Sequence, residues 1–343
     1  MRPGSYDAWR VREEDFPRSG SLGEQLRFLV RYAILAPSAH NTQPWRFAIV
    51  DNHLRVSLDE SRALTVSDPT RREMIVSVGA AVTNLLVAAE HFGFRATVEE
   101  FPLGDDQVVA DIAVAPAADA RTPGGDQLFQ AIPRRHANRH LYESRKVPQD
   151  VLMKFRGFAA SGNPHLDLVE DPAKIQSLAD LTGHATAASM RAPEFRAELS
   201  QWVRSNFTKR PDGMPGFSVG VPDVPSLLAP VIVRLPPTAK AEGGKRRAQV
   251  LSSPVLGIVS TKGNEKRDWF RAGMLLENIW LLATAEGLRL AVLAAVVETG
   301  EMYRDVQTVL GSPLRLQVFF RTGYGPSDPH PTPRRPLGEV LLS

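Results

Sequence analysis

The feature that most constrains this chain is a spacing that occurs twice. Gly79, Asn84 and Gly93 recur as Gly273, Asn278 and Gly287, each pair 194 positions apart, within GAAVTNLLVAAEHFG and GMLLENIWLLATAEG. Both stretches are apolar at helical spacing and end at a glycine suited to a helix C-terminus. Each then enters a strand-like segment (FRATV, LRLAV), and a further one follows later (VVADIAV, LRLQVFF). The helical stretches 22–35 and 148–160 also match, each leading through a short polar loop into a strand. The pattern reads as two copies of one α+β unit, roughly 20–115 and 126–343, with an N-terminal arm over 1–20 and a linker over 116–126.

Within the first copy, Leu22, Leu26, Leu29 and Ala33 form one helical stripe, which Pro37 stops. Residues 45–50 and 53–58 read as strands joined at Asp51-Asn52. A long helix over 70–92 takes Asp68 as its cap and Pro69 in its first turn. Strands follow near 94–101 and 108–114. The second copy predicts helices near 126–132, 148–160, 172–188, 194–206, 267–286 and 300–310. Its strands fall near 166–170, 255–260, 288–293 and 314–321. The seven prolines of 210–237 predict irregular chain there. The proline-rich tail 323–336 is expected to wrap around the body.

Several chemistries are excluded at once. The 343 residues contain no cysteine, which removes disulfide scaffolds, zinc–thiolate sites, iron–sulfur clusters and thiol nucleophiles. Lys and Arg exceed Asp and Glu by only three and are interleaved with them, so no nucleic-acid partner is expected. The charged N-terminus is unlike a signal peptide, and no uncharged apolar run reaches eighteen residues, so no membrane partner is expected and the cytoplasm is the expected location. The eight histidines are dispersed, without metal-ligand spacing. Gly216-Phe217-Ser218-Val219-Gly220 matches a nucleophile elbow, but DGMP before it and VPDVP after it supply neither the strand nor the helix that the motif needs.

Two segments carry chemistry. Ala36–Trp45 (APSAHNTQPW) is dense in small groups, donors and acceptors and suits a flat polar ligand. Arg134-Arg135-His136-Ala137-Asn138-Arg139 places three guanidiniums within six residues, a composition that suits a phosphate dianion or a solvated basic surface. Arg321 and the pair Arg334-Arg335 add basic groups near the C-terminus. Asn84 and Asn278 read as structural partners for buried backbone.

APSAHNTQPW resembles the PS-x-x-N-x-QPW signature of the FMN-dependent nitroreductase family. RRHANR resembles that family's phosphate segment, GMLLENIWLLATAEGL its long core helix, and Arg334-Arg335 with Pro336–Val340 its C-terminal arm. The tandem arrangement most resembles the family's Acg-type branch. The resemblance implies a nitroreductase-like α+β fold in which two tandem repeats in one chain mimic the family homodimer. It implies FMN held by Pro37, Ser38, His40, Asn41 and Gln43 on one side and by Arg134, Arg135, His136, Arg139, Arg321, Arg334 and Arg335 on the other. The first copy lacks an upstream RR-x-x-x-R, and the second lacks QPW (its loop is Ala160-Ser161-Gly162-Asn163-Pro164-His165), so one FMN per chain is implied. A monomer then suffices, and a further homodimer is compatible. No metal and no catalytic side chain are implied, because FMN would carry electrons from NAD(P)H to a small nitro- or quinone-type acceptor. Glu298 follows the strand where the family contacts the flavin ring, but AAVVETG departs from the usual pattern. The second copy also carries about seventy extra residues, an insertion over about 172–250. Part of 195–250 is expected to cover the flavin as a lid, and a lid that stays closed implies the alternative of FMN storage or sequestration.

Overall fold

A computed structural model describes residues 6–102, 107–117, 122, 124–235, 238–326 and 330–342. The first half runs α1 (Leu22–Ala33), β1 (Trp45–Val50), β2 (His53–Leu58), α2 (Arg72–His91), β3 (Phe94–Glu100) and β4 (Val108–Pro116). Then come α3 (Gly125–Ala131), α4 (Gln149–Phe158) and β5 (His165–Val169). The insertion holds α5 (Pro172–Arg191), α6 (Pro193–Trp202), β6 (Val203–Arg204), β7 (Met214–Pro215), α7 (Asp223–Ser226), α8 (Ala229–Ile232) and α9 (Thr238–Leu251). The chain closes with β8 (Val255–Thr261), α10 (Lys266–Ala285), β9 (Arg289–Val292), α11 (Ala295–Glu298), α12 (Tyr303–Leu310), β10 (Arg315–Gly323), α13 (Leu337–Val340) and β11 (Leu341–Leu342).

Local chemistry sets these boundaries. Ser21 and Glu24 form a capping box at the start of α1. Asp68 does accept from the amide of Met74 at 3.0 Å, as a cap should, but Arg71 takes a left-handed turn, so α2 begins at Arg72 rather than at residue 70.

The two main sheets have the same order. The first reads β1-β2-β4-β3 and the second β5-β8-β10-β9, with a 20-residue helix between the second and third strand of each. Those two helices, α2 and α10, cross at the repeated glycines. A Cβ on Gly79 would run into the carbonyl oxygen of Phe270, and a Cβ on Gly273 into that of Val76. Residues 76 and 270 are again 194 apart, so the contact is reciprocal, as in an interface with two-fold symmetry. α2 is apolar enough to cross a membrane by length and composition, yet nearly all of its residues are buried inside the protein.

The first core lies between the first sheet and α1 and α2. The second sheet is covered on both faces. Val255, Val259, Val318 and Phe320 pack toward α4 and α10, while Leu256, Ile258, Leu316 and Phe319 pack toward α5 and the end of α9. In β8 this alternation follows from the two-residue period of a strand; in β10 a bulge between Leu316 and Val318 shifts it by one residue. The outer parts of the insertion, α5 and α9, therefore belong to the body. Only its middle is free to reach elsewhere. The tail crosses to the first half, where β11 pairs in parallel with β1 (Phe47 with Leu341, Ala48 with Leu342).

Candidate functional site

The loop between α1 and β1 has an unusual backbone. His40, Asn41 and Gln43 all have positive φ, at 48°, 56° and 54°. Three left-handed residues with side chains in four positions represent stored strain, held by the surroundings. Ser38 Oγ accepts from the Gln43 amide at 2.9 Å, and Ser77 Oγ accepts from the Ala39 amide at 3.4 Å. Asn41 is buried: its Nδ2 donates to Gly213 O (2.9 Å) and Pro333 O (3.0 Å), and its Oδ1 accepts from Arg334 Nη1 (3.0 Å). Gln43 donates to Pro211 O at 2.8 Å and accepts from the amide of Arg335 at 2.7 Å. Pro37 begins this loop and is half-buried.

The basic segment converges on the same place. Arg135 Nη2 and Arg334 Nη2 both donate to Leu35 O, at 2.9 and 3.0 Å. Arg135 also faces Glu277 (3.1 Å), and its guanidinium lies 4.6 Å above the Trp280 ring. Arg334 donates further to Ala36 O (3.1 Å) and lies 4.7 Å above Trp9. Trp9 in turn meets the His136 ring edge-on at 5.0 Å. Residues 35–43, 134–139 and 332–335 thus share one seam between the two halves.

The other candidates divide by partner. Arg335 is held by Asp59 (3.1 Å), Gln43 O and Glu339 O. Arg321 donates to Gln249 O, Asn138 O and His140 O and stacks on Tyr142. These guanidiniums, like that of Arg334, tie segments together through protein acceptors, a role the sequence reading did not give them. Arg134 is exposed, with Nε on Gln130 O. Arg139 donates to Ser218 O at 2.9 Å. Asn84, with its amide oriented to satisfy both neighbours, donates to Glu277 at 3.0 Å and accepts from the Ala36 amide at 3.2 Å. Asn278 bonds back to Met274 O in its own helix.

One part of the seam had no clear sequence signal, and another lies inside the 195–250 stretch expected to cover the site. Trp9 sits in a charged N-terminal arm. Residues 211–220 lie on the strained loop, gripped through Asp212 by Arg62 (3.0 Å) and Arg204 (2.9 Å). The 216–220 motif is a 3₁₀ turn here, with Ser218 Oγ bonded to Pro215 O.

Electrostatics at the seam follow from burial. His136 is pushed down to about 3 by burial and by Arg135, Arg334 and Arg289. His40 is pushed down to about 4 by burial, which Glu198 opposes and Arg139 reinforces; both imidazoles are neutral at physiological pH. His40 Nδ1 is enclosed and has no protein partner among the described residues. Glu277 is fully buried, and burial raises it to about 7 despite Arg135 and Arg334. Its folded value lies above the usual carboxylate value of about 4.3. Its contribution to stability is therefore present in full below about pH 4 and is lost as pH rises through 7. Glu277→Gln should flatten the stability profile between about pH 4 and 7, measured by thermal melts across that range. An unchanged slope would count against this assignment.

No protein-family profile matches the chain. Curated relatives do. The protein named "Putative NAD(P)H nitroreductase acg" of Mycobacterium tuberculosis H37Rv is 28% identical over 92% of this chain and 95% of its own length. "Putative NAD(P)H nitroreductase Rv3131" of the same strain is 30% identical over 93% and 91%. "Probable NAD(P)H nitroreductase PigM" of Serratia sp. ATCC 39006 is 25% identical over 93% and 94%. Among solved structures, the FMN-dependent nitroreductase NfnB of Mycobacterium smegmatis aligns with 64% of this chain and 99% of its own, at 17% identity and a TM-score of 0.44. The molecule is thus an α+β protein of two like-ordered sheets with a basic seam between them. It belongs to the family of these NAD(P)H nitroreductase-named proteins, in the Acg-type branch that its motifs resemble.

Proposed function

We propose that the chain is an FMN-binding NAD(P)H oxidoreductase in which a duplicated unit forms one flavin site at the seam. The observation that carries this reading is buried positive charge in excess. Arg135 and Arg334 are each 2% exposed and share one carboxylate, Glu277, which burial itself pushes toward neutrality. A buried cation without a counter-ion is costly, by several kcal/mol in order of magnitude. An anionic group such as FMN would relieve that cost, so the residues present fit it. The names of the relatives support the same reading.

When bound, FMN supplies the electron and hydride chemistry. The chain's own residues bind and orient it. Arg135 and Arg334 supply fixed positive charge, and Arg134 and Arg139 supply further cations within a few residues. Pro37, Ser38, His40 and Asn41 offer the strained loop, with neutral His40 able to give or take one hydrogen bond at Nδ1. Residues 211–220 exclude water from the loop. The acceptor is a small nitro- or quinone-type molecule.

The closure of 211–220 over Asn41 and Gln43 favours a second reading, flavin storage. One experiment tests both. Purified protein reconstituted with FMN should bind one flavin per chain by visible absorbance and bleach when NADH or NADPH is added without oxygen. Bleaching by dithionite alone would favour storage. Failure to bind FMN would overturn both readings.

A further inference from the structure

Beyond the seam, the middle of the insertion carries an unexplained surface. From Asp223 to Leu235 the chain forms α7 and α8 in near-continuous helical hydrogen bonding, with Leu227 and Leu228 bridging them to Val224 O and Pro225 O. Ser226 and Ala229 face inward and are buried. Val224 (75% exposed), Leu227 (57%), Leu228 (61%), Val231 (61%) and Ile232 (41%) face outward. A short helical segment that turns its larger apolar side chains to water is the reverse of what folding alone favours, and such a patch marks a contact surface.

The charges around it indicate what the patch meets. Residues 204–251 hold eight Lys and Arg, of which Arg204 is buried against Asp212 and Arg247 pairs with Asp180, while Lys209, Arg210, Arg234, Lys240 and Lys245 are exposed. Arg234 lies within the helical stretch and Lys240 just past it, both exposed. Lys245 reaches back to its start, donating to Val219 O at 2.9 Å. A second copy docking patch to patch would set these cations against themselves, which opposes such a contact. A short apolar face rimmed by Lys and Arg is instead the composition of an interfacial helix on anionic lipid.

We propose that residues 223–235 dock this protein on an anionic membrane surface, with Val224, Leu227, Leu228 and Val231 entering the headgroup boundary. The sequence reading expected no membrane partner because it looked for a spanning segment, and this surface does not span. The inference stands independently of flavin binding. Because 211–220 leads directly into this segment, docking would place the seam's cover beside the lipid.

The test is vesicle co-sedimentation of the full chain. Vesicles with about 30% phosphatidylglycerol should bind at least about tenfold more protein than pure phosphatidylcholine vesicles, because each basic residue near an anionic surface adds about fivefold. Half-molar salt should weaken binding. Leu228→Asp with Val231→Asp should abolish it while leaving the melting temperature unchanged, since both side chains are exposed; Lys240→Glu should weaken it. No binding to either vesicle, equal binding to both, or binding that survives the double variant would each overturn the proposal. So would self-association in sedimentation equilibrium that the double variant removes without any lipid binding, which would assign the patch to a second copy.

Discussion

Replacing Gly273 with alanine should cost about 2–3 kcal/mol of folding stability, as expected for overpacking a closed contact. Elsewhere in a helix this substitution is favourable, because alanine is the better helix former by about 1 kcal/mol. Here the new Cβ would meet the backbone of Val76, not a side chain that could rotate away. The helices α2 and α10 must separate, and both cores that share them loosen. Gly79→Ala should act alike, because its Cβ would meet Phe270 O from the other side. The double variant should cost much less than the sum, since the first substitution has already opened the contact that the second would strain. Gly157→Ala is the control: a Cβ there meets nothing within 4 Å, so stability should hold or rise slightly. Urea denaturation of the four variants measures all of this. Additive losses, or a loss below about 0.5 kcal/mol at Gly273, would refute close packing at the pseudo-symmetric crossing.

The repeated spacing was readable in the sequence because close packing at that crossing left a record in residue type. Glycine at a repeated helical position has few physical reasons, and helix–helix approach is one of them. The strands were readable for a similar reason, as runs such as WRFAIV and LRLQVFF bury alternating or continuous apolar faces. The helix α9 was hidden by the same residue read the other way. Gly243-Gly244 looks like a breaker after a proline-rich stretch, yet Gly243 sits against Gly183 O and Ala187 of α5, where a side chain would not fit. β11 is two residues long and exists only because β1 offers it an edge. No local propensity encodes such a strand.

The basic residues of the candidate site show a different limit. Composition identifies Arg334, Arg335 and Arg321 as cations, and a cation near a phosphate motif reads as a phosphate ligand. What composition cannot give is the set of backbone carbonyls that the fold aims at them. Leu35 O, Ala36 O and Asn138 O are acceptors that every sequence possesses, and they become specific partners only through the loop and tail geometry. That Ala36–Trp45 is a candidate ligand loop was readable from its density of small and polar groups. Its three left-handed residues were not, because none of them is glycine. Trp9 escaped notice for the same reason as β11: its partners, Arg334 and His136, lie more than a hundred residues away along the chain.

Arg334→Met tests whether that residue holds the seam. Its guanidinium reaches Asn41 Oδ1, Leu35 O and Ala36 O from the loop, and Thr332 Oγ1 and Pro333 O from the tail. Methionine fills similar space but donates to none of them. Leu35 O would keep Arg135, whereas Ala36 O and Asn41 Oδ1 would lose this donor inside the protein. At about 1–3 kcal/mol for each buried acceptor deprived of a partner, and with partial relief from removing a buried charge, the net loss should be about 3 kcal/mol. The tail should loosen before the rest, because Arg334 lies just ahead of the strand that pairs with β1. Hydrogen exchange should therefore accelerate at Phe47, Ala48, Leu341 and Leu342, and Trp9 emission should shift as the cation above its ring disappears. Arg334→Lys separates charge from geometry: it retains the cation but cannot span the same carbonyls. If the seam binds an anionic flavin, the Lys variant should be about as unstable as the Met variant yet keep more of the FMN affinity. Equal affinities in the two would remove Arg334's charge from the binding argument, and wild-type exchange rates at Leu341 and Leu342 in the Met variant would remove its side chain from the structural one.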